Sequence, residues 1–421
     1  MNIYFCGIGG VGLGPLAEIA RDAGHSVHGS DAHQSLTTDE LQRRGISVST
    51  DQTGEYLAYC HGQRTIDWFV YTAALPPDHP ELLKARELGI YTAKRDELIN
   101  YIVKEKNLKL IAIAGTHGKT TTTAMVVWTF RQLGIPVSFS VGSTMSFAPS
   151  GYLDPKAEYF VYECDEFDRN FLHFAPHLSL ITSIDYDHPD TYPTQAEYAA
   201  AFTQFLSQSH HVVMWERDTI INVTPPHEAW RLNDPEVMEF SIPGAHNRAN
   251  ATLVAKACEY LQVGDAALIK TAVESFPGTS RRFERLAPNL YTDYGHHPVE
   301  ISATLQMARE ISNHIVLVYQ PHQNTRQHQV RSGYTTCMEL AEEIFWLPTY
   351  RSREDPSLPT LEPQELTTHL SNRNIVVYAD MNEELWSRIE WARSNGKLVL
   401  CMGAGTIDGW VRDMLSATAA Q

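Results

Sequence analysis

Leu110-Ile111-Ala112-Ile113-Ala114-Gly115-Thr116-His117-Gly118-Lys119-Thr120-Thr121 is an apolar run that stops at a glycine and resumes as a helix-compatible segment. An uninterrupted apolar run of this kind is typical of a central parallel strand, covered on both faces. The glycines after it let backbone N–H groups close around phosphate oxygens, and the N-terminus of the next helix adds its positive dipole end. Lys119 supplies a full charge for β and γ phosphates, and the Thr120 hydroxyl can ligate Mg²⁺. Gly115, Thr116, His117, Gly118, Lys119, Thr120 and Thr121 are therefore expected to cradle ATP. The spacing departs from the common eight-residue form, since position 113 is isoleucine and the first glycine is Gly115.

Working outward, the chain divides into three α/β blocks, expected at 1–107, 108–284 and 285–421. In the first, Ile3-Tyr4-Phe5-Cys6 reads as a buried strand, 16–23 as a helix, and Val27-His28-Gly29-Ser30 and Trp68-Phe69-Val70-Tyr71 as further strands. Alternation of strands and helices implies a parallel sheet. Lys104-Glu105-Lys106-Asn107 is a candidate linker. The second block carries the phosphate loop, a helix over 120–132, strands at 159–162 and 178–182, and a helix over 250–261. In the third, 291–293, 315–319 and 397–400 read as strands.

Between the first strand and helix lies Gly7-x-Gly9-x-x-Gly12, with Gly10 inside it, and Asp31 stands 19 residues beyond Gly12 at the end of the next strand. This pattern suits a pyrophosphate on the helix end and a ribose hydroxyl on the acid. Alone it suggests NAD, but it fits a UDP-sugar equally, and a packing turn without ligand has the same spacing. Glu163-Cys164-Asp165-Glu166-Phe167-Asp168 gathers four acids at a strand end, and like charges so close call for a cation. A solvated acidic loop is the alternative. Asp185-Tyr186-Asp187-His188 follows the strand at 178–182 and would point into the same crevice. His246-Asn247-x-x-Asn250, Arg281-Arg282-Phe283-Glu284 and Asp293-Tyr294-Gly295-His296-His297-Pro298 each also have a plain reading, as a cap, a solvated basic pair and a strand-end turn. Zinc at the His-His pair is discounted, because no partner ligands stand at zinc spacing.

The formal net charge of −17 argues against nucleic acid or an anionic membrane as partner. The six cysteines are scattered without a C-x-x-C pair, which fits a reducing cytoplasm. No basic leader opens the chain and glycines break its first apolar run, so no signal peptide is expected. No apolar run approaches the roughly 20 residues of a membrane span.

In order, these motifs resemble the Mur ligases, the ATP-dependent amino-acid ligases of peptidoglycan synthesis, over nearly the whole chain. Carrying the resemblance are Gly7–Gly12, Gly29-Ser30-Asp31, the loop at 115–121, the acids at 163–168, 187–192, 244–250, Arg282-Phe283-Glu284, 293–298, Gln320-Pro321-His322 with Arg326, and Met402-Gly403-Ala404-Gly405. The resemblance implies a Rossmann-like N-terminal domain for UDP, a central phosphate-loop ATPase domain, and a Rossmann-like C-terminal domain for the amino acid. It implies ATP and Mg²⁺, with Thr120, Glu163 and His188 as metal ligands. It also implies ATP contacts from His246, Asn247, Asn250, Arg282 and Asp293. Gly7, Gly9, Gly10, Gly12, Ser30, Asp31, Thr72 and His322 would bind the UDP substrate, and Lys119, Glu163, His188 and Arg326 would serve catalysis. The reaction expected is attachment of L-alanine or a similar small amino acid to UDP-N-acetylmuramate through an acyl phosphate, in a monomer or weak homodimer.

This chain departs from the family pattern in places. No lysine lies between Lys156 and Lys256, so the carbamoylated lysine of several sister ligases is missing. Gln323 replaces an arginine after Pro-His, and Thr406 replaces an aspartate after Gly-Ala-Gly. Three alternatives stay open: a ligase that recycles a whole tripeptide, an NAD-dependent oxidoreductase, and a non-catalytic UDP-sugar-binding regulator.

Overall fold

The computed structural model describes every residue except Ala73, Ala74, Pro189, Asp190, Arg353, Ala420 and Gln421, and only the backbone of Thr219, Ile220, Ile221 and Ala419. Pro189 and Asp190 of the 187–192 motif thus lie outside the described residues. Among the described residues, eighteen strands form three sheets. The first comprises β1 (Asn2–Cys6), β2 (Ser26–Ser30), β3 (Ser47–Ser49), β4 (Trp68–Tyr71) and β5 (Tyr91–Lys94), all parallel in the order β3-β2-β1-β4-β5. The second comprises β6 (Lys109–Ala114), β7 (Val137–Ser140), β8 (Gly151–Tyr152), β9 (Tyr159–Glu163), β10 (Leu178–Ile181), β11 (Val212–Trp215) and β12 (Trp230–Leu232). Its order is β12-β11-β10-β6-β9-β7-β8, antiparallel only between β7 and β8. The third comprises β13 (Glu284–Ala287), β14 (Leu290–Asp293), β15 (Ile315–Tyr319), β16 (Glu343–Trp346), β17 (Val376–Tyr378) and β18 (Leu398–Met402). Its order is β13-β14-β18-β15-β16-β17, antiparallel only between β13 and β14.

β6 lies mid-sheet between β9 and β10, which is why its sequence is apolar from Leu110 to Ala114. In-register pairing sets Glu163 of β9 beside Ile113, one residue short of the strand's end. The acids and the phosphate loop therefore leave the sheet at the same edge.

Two compact units are present: Met1–Val237 with Asn250–Phe276, and Met238–Ala249 with the chain from Pro277 onward. In the first unit one hydrophobic core serves both sheets, joining Ile3, Leu16 and Val70 to Leu98, Ile102, Phe160, Phe171 and Phe205. The helix Arg95–Glu105 belongs to that core, burying Leu98, Ile99, Ile102 and Val103. The expected linker at 104–107 is its last turn, followed by a tight turn in which Asn107 has φ 52°. The strand tip at Gly151 sits so near the helix Leu13–Asp22 that a Cβ there would lie 2.7 Å from Pro15. In the second unit the pleat of β15 divides two cores, Ile315, Leu317 and Tyr319 facing one and Val316 and Val318 the other.

Candidate active site

The phosphate loop is shaped by two glycines. Gly115 has φ +128°, and a Cβ there would stand 2.5 Å from the Thr182 hydroxyl and 2.6 Å from the Ser183 carbonyl. Gly118, at φ +84°, occupies the N-cap of the helix Lys119–Gln132. Left-handed φ is cheap only for glycine. Ser183 ties the loop to the end of β10: its carbonyl accepts the Thr116 amide at 2.8 Å and its hydroxyl accepts the His117 amide at 3.0 Å. The Thr116 hydroxyl donates to the Asp185 carbonyl at 2.8 Å and meets the Tyr198 hydroxyl at 2.8 Å. Asn250 reaches the same loop, its side-chain amide 3.1 Å from where a Gly118 Cβ would be. Neither Ser183 nor Tyr198 stood out in the sequence. The one signal was Ser183's place two residues before the Asp185–His188 run.

Lys119 donates to the Gly115 carbonyl at 2.6 Å and to the fully buried carboxylate of Glu166 at 2.8 and 3.1 Å. Burial opposes the lysine's charge, but Glu166, Asp165 and Glu163 outweigh it, so Lys119 stands above the ordinary lysine value and stays cationic. Burial pushes Glu166 above the usual carboxylate range, and Lys119 offsets only part of that. Of the three expected metal ligands, two meet directly: the Thr120 hydroxyl donates to Glu163 Oε1 at 2.9 Å. Glu163 Oε2 takes the Gly142 amide at 3.1 Å. His188 lies with a different acid, its Nε2 3.7 Å from Glu166 Oε1. Asp165, Glu166 and His188 have ligand atoms all within 4.8 Å of one another.

At the first sheet, the Gly7 and Ile8 amides donate to the Ser30 carbonyl at 2.8 and 2.9 Å. The Asp31 carboxylate accepts the Gly9 amide at 2.8 Å and so turns onto the turn itself. Ser30 is buried, and its hydroxyl donates to Glu81 at 2.7 Å. Glu81 also accepts from Tyr4 at 2.7 Å and from the Cys6 thiol at 3.0 Å. Thr72 lies beside Gly7, its methyl 3.7 Å from the missing Cβ. Gly10 turns back, its amide 3.1 Å from the Gly7 carbonyl.

In the second unit, the Asp293 carboxylate accepts the Phe283 and Gly295 amides, each at 2.7 Å. Burial lifts it to about 6 against the pull of Arg282. Arg281 and Arg282 both flank the Tyr294 ring, at 4.7 and 5.1 Å. The run His296-His297-Pro298 has a local reason: His297 is the N-cap of the helix Pro298–Arg309, proline takes its first position, and Glu300 accepts both histidine amides. The His296 ring lies 5.2 Å from the His322 ring. Burial lowers His296 to about 4, with Arg326 and His322 adding to the effect against Glu300. His246 also falls to about 4 through burial, and Asn247 donates to the Pro243 carbonyl at 3.1 Å. The two departures have structural roles. Thr406 accepts the Gln320 side chain at 3.2 Å, and Gln323, at φ +57°, caps the helix Asn324–Val330 and donates its amide to the Tyr350 carbonyl at 2.7 Å.

A parallel-sheet phosphate loop bearing a buried lysine, beside clustered carboxylates, defines a nucleoside-triphosphate-using α/β enzyme. Residues 2–107 match the model of the Mur ligase family catalytic domain, 113–257 the Mur ligase middle domain, and 281–405 the Mur ligase glutamate ligase domain. The chain belongs to the Mur ligase family, the ATP-dependent ligases. It is 30% identical to the UDP-N-acetylmuramate–L-alanine ligase of Azorhizobium caulinodans, over 97% of this chain and 96% of that one. To the enzyme of that name from Desulfosudis oleivorans it is 30% identical, over 99% and 98%. Its fold is similar to that of the UDP-N-acetylmuramate-alanine ligase of Thermotoga maritima, with a TM-score of 0.78 at 24% identity over 100% and 99% of the chains. It is also similar to that of a murein peptide ligase from Psychrobacter arcticus, at 0.65 and 22% over 99% and 98%. The oxidoreductase reading of Gly7–Gly12 gives way to this membership. Among the described residues no helix is long and apolar enough to cross a membrane.

Proposed function

We propose that this chain joins L-alanine, or an amino acid of similar size, to the carboxylate of UDP-N-acetylmuramate while cleaving ATP to ADP and phosphate. The observation that carries this reading is Lys119, held cationic at the mouth of a phosphate loop among three acids. A carboxylate is a poor acyl donor because oxide is a poor leaving group. Transfer of the γ-phosphoryl group to it gives an acyl phosphate. The neutral amine of the amino acid then attacks the carbonyl carbon, the carbon–oxygen bond to phosphate breaks, and the amine loses a proton. Lys119 offsets charge on the transferring group.

Thr120, Glu163 and His188 would hold magnesium, with Asp165 and Glu166 beside them. Carboxylate and hydroxyl oxygens suit a hard cation, and three carboxylates around one lysine leave negative charge to be balanced. When bound, magnesium supplies charge neutralisation at the nucleotide phosphates. His246, Asn247, Asn250, Arg282 and Asp293 would contact ATP, and the glycine turn with Ser30, Asp31 and Thr72 would take the UDP part. His322 and Arg326 would meet substrate carboxylates, and the low basicity of His296 keeps it neutral beside them.

The test is phosphate release from ATP and UDP-N-acetylmuramate with alanine, glycine, serine or the stem tripeptide. Alanine is expected to exceed glycine by about tenfold or more in kcat/KM, the worth of one methyl group in a fitted pocket. Turnover with the tripeptide alone would show a recycling ligase instead, and nucleotide binding without any turnover would show a regulator.

A further inference from the structure

We propose that Arg95 clamps the diphosphate of the nucleotide-sugar substrate. This rests on the reading that the chain takes such a substrate. The strand order of the first sheet reverses between β1 and β4, and in open parallel sheets ligands bind at the carboxyl ends of the strands at that point. Arg95 directly follows the carboxyl end of β5 and begins the helix Arg95–Glu105. Its Nη1 reaches the third glycine of the first turn, and a Cβ on Gly12 would lie 3.2 Å from it. Gly12 is the N-cap of the helix Leu13–Asp22 and has no side-chain cap. A guanidinium is thus set against the turn where a pyrophosphate would rest.

The surroundings of Arg95 hold its charge and leave its donors unspent. Nε lies 3.6 Å from Asp96 Oδ2, beyond hydrogen-bond length, and has no hydrogen-bond partner among the described residues. Asp96 is engaged elsewhere, since its Oδ1 accepts the Tyr162 hydroxyl at 2.6 Å. The Tyr162 ring lies under the guanidinium, 6.0 Å from centroid to carbon. The neighbouring Lys94 is paired with Asp168. A planar fork of N–H groups that is ion-paired with Asp96 but hydrogen-bonds to no described carboxylate matches phosphate oxygens bidentately. Glu163 and Asp165, at and just beyond the end of β9, add to the field that holds the arginine's charge.

The test uses the full chain carrying Arg95→Gln or Arg95→Lys. Dissociation constants for UDP-N-acetylmuramate, UDP and uridine are measured by titration calorimetry or competition, together with the KM for ATP. Arg95→Gln is expected to weaken UDP-N-acetylmuramate and UDP by about 10- to 100-fold, the worth of charged hydrogen bonds. Uridine binding and the KM for ATP should stay within about threefold. Arg95→Lys should recover part of the loss, keeping charge without the fork, and it carries the measurement if the glutamine variant fails to fold. Unchanged UDP binding, an equal loss for uridine, or a fall in kcat at unchanged substrate affinity would overturn the assignment. If the unsubstituted chain itself does not bind UDP-N-acetylmuramate, the proposed function fails as well.

Discussion

The pair Lys119–Glu166 shows how a reactive charge is kept inside a protein. Glu166 is fully buried and Lys119 is almost so. Burying both charges is costly; each is held by the other, and the lysine also donates to the Gly115 carbonyl. Removing one partner alone strands the second. Lys119→Ala is therefore expected to abolish ligation and also to lose about 3–5 kcal/mol of stability through the orphaned Glu166. The double variant Lys119→Met/Glu166→Gln should regain most of that stability and none of the activity. Urea unfolding and phosphate release read the two effects separately. UDP-N-acetylmuramate binding should survive in the double variant, since the glycine turn at 7–12 is a separate site. Inactivity with full stability in Lys119→Ala would show that Glu166 is not held by the lysine.

At the scale of elements, strand position decides what the sequence reveals. β1, β4, β6 and β15 have neighbours on both sides, and their uninterrupted apolar runs are legible as they stand. β3, β5, β12 and β17 lie at sheet edges or are short, with mixed burial, and carry too little pattern to be read. Missing β5 also hid Arg95, which is informative only once a strand is known to end before it. The phosphate loop is legible because its chemistry is contiguous. The contact between Lys119 and Glu166, 47 residues apart, exists only once β6 and β9 pair. Pairing of β6 with β10 on its other side explains why the two loop glycines are not equivalent. A Cβ at Gly118 meets the end of the Asn250 side chain, which can move. One at Gly115 meets the backbone of Ser183 at 2.6 Å, which cannot move without the end of β10. Gly118→Ala should cost about 1–2 kcal/mol, the penalty of a left-handed residue, and Gly115→Ala about 3 kcal/mol or more, as strain and overpacking add. Equal costs by chemical denaturation would mean that Ser183 yields freely.

On the whole-molecule scale, the order of residues along the chain does not follow the compact units. The second unit includes Met238–Ala249, which lies before the last stretch of the first unit, Asn250–Phe276. The helix Ala245–Leu261 therefore contains a unit boundary, and the sequence blocks could not show it, because helical periodicity runs through unbroken. Within the second unit that early segment is fastened by Glu310. Its carboxylate accepts both terminal nitrogens of Arg248 at 2.9 Å and the Gly244 amide at 3.0 Å. These donors hold Glu310 down at about 2, with Arg248 the leading cause. Gly244 packs against Met307 on the same helix. A specific protease site inserted at Gly278, which has nothing within 4 Å of its missing Cβ, would cut the chain between 238–249 and the rest of the second unit. The two fragments are expected to elute together in native gel filtration and to separate only in denaturant. Glu310→Ala in the cut chain should weaken that association by about tenfold or more, since it removes a bidentate arginine contact. Fragments that part on cutting, before any substitution, would show that 238–249 is held by chain connectivity rather than by its own contacts.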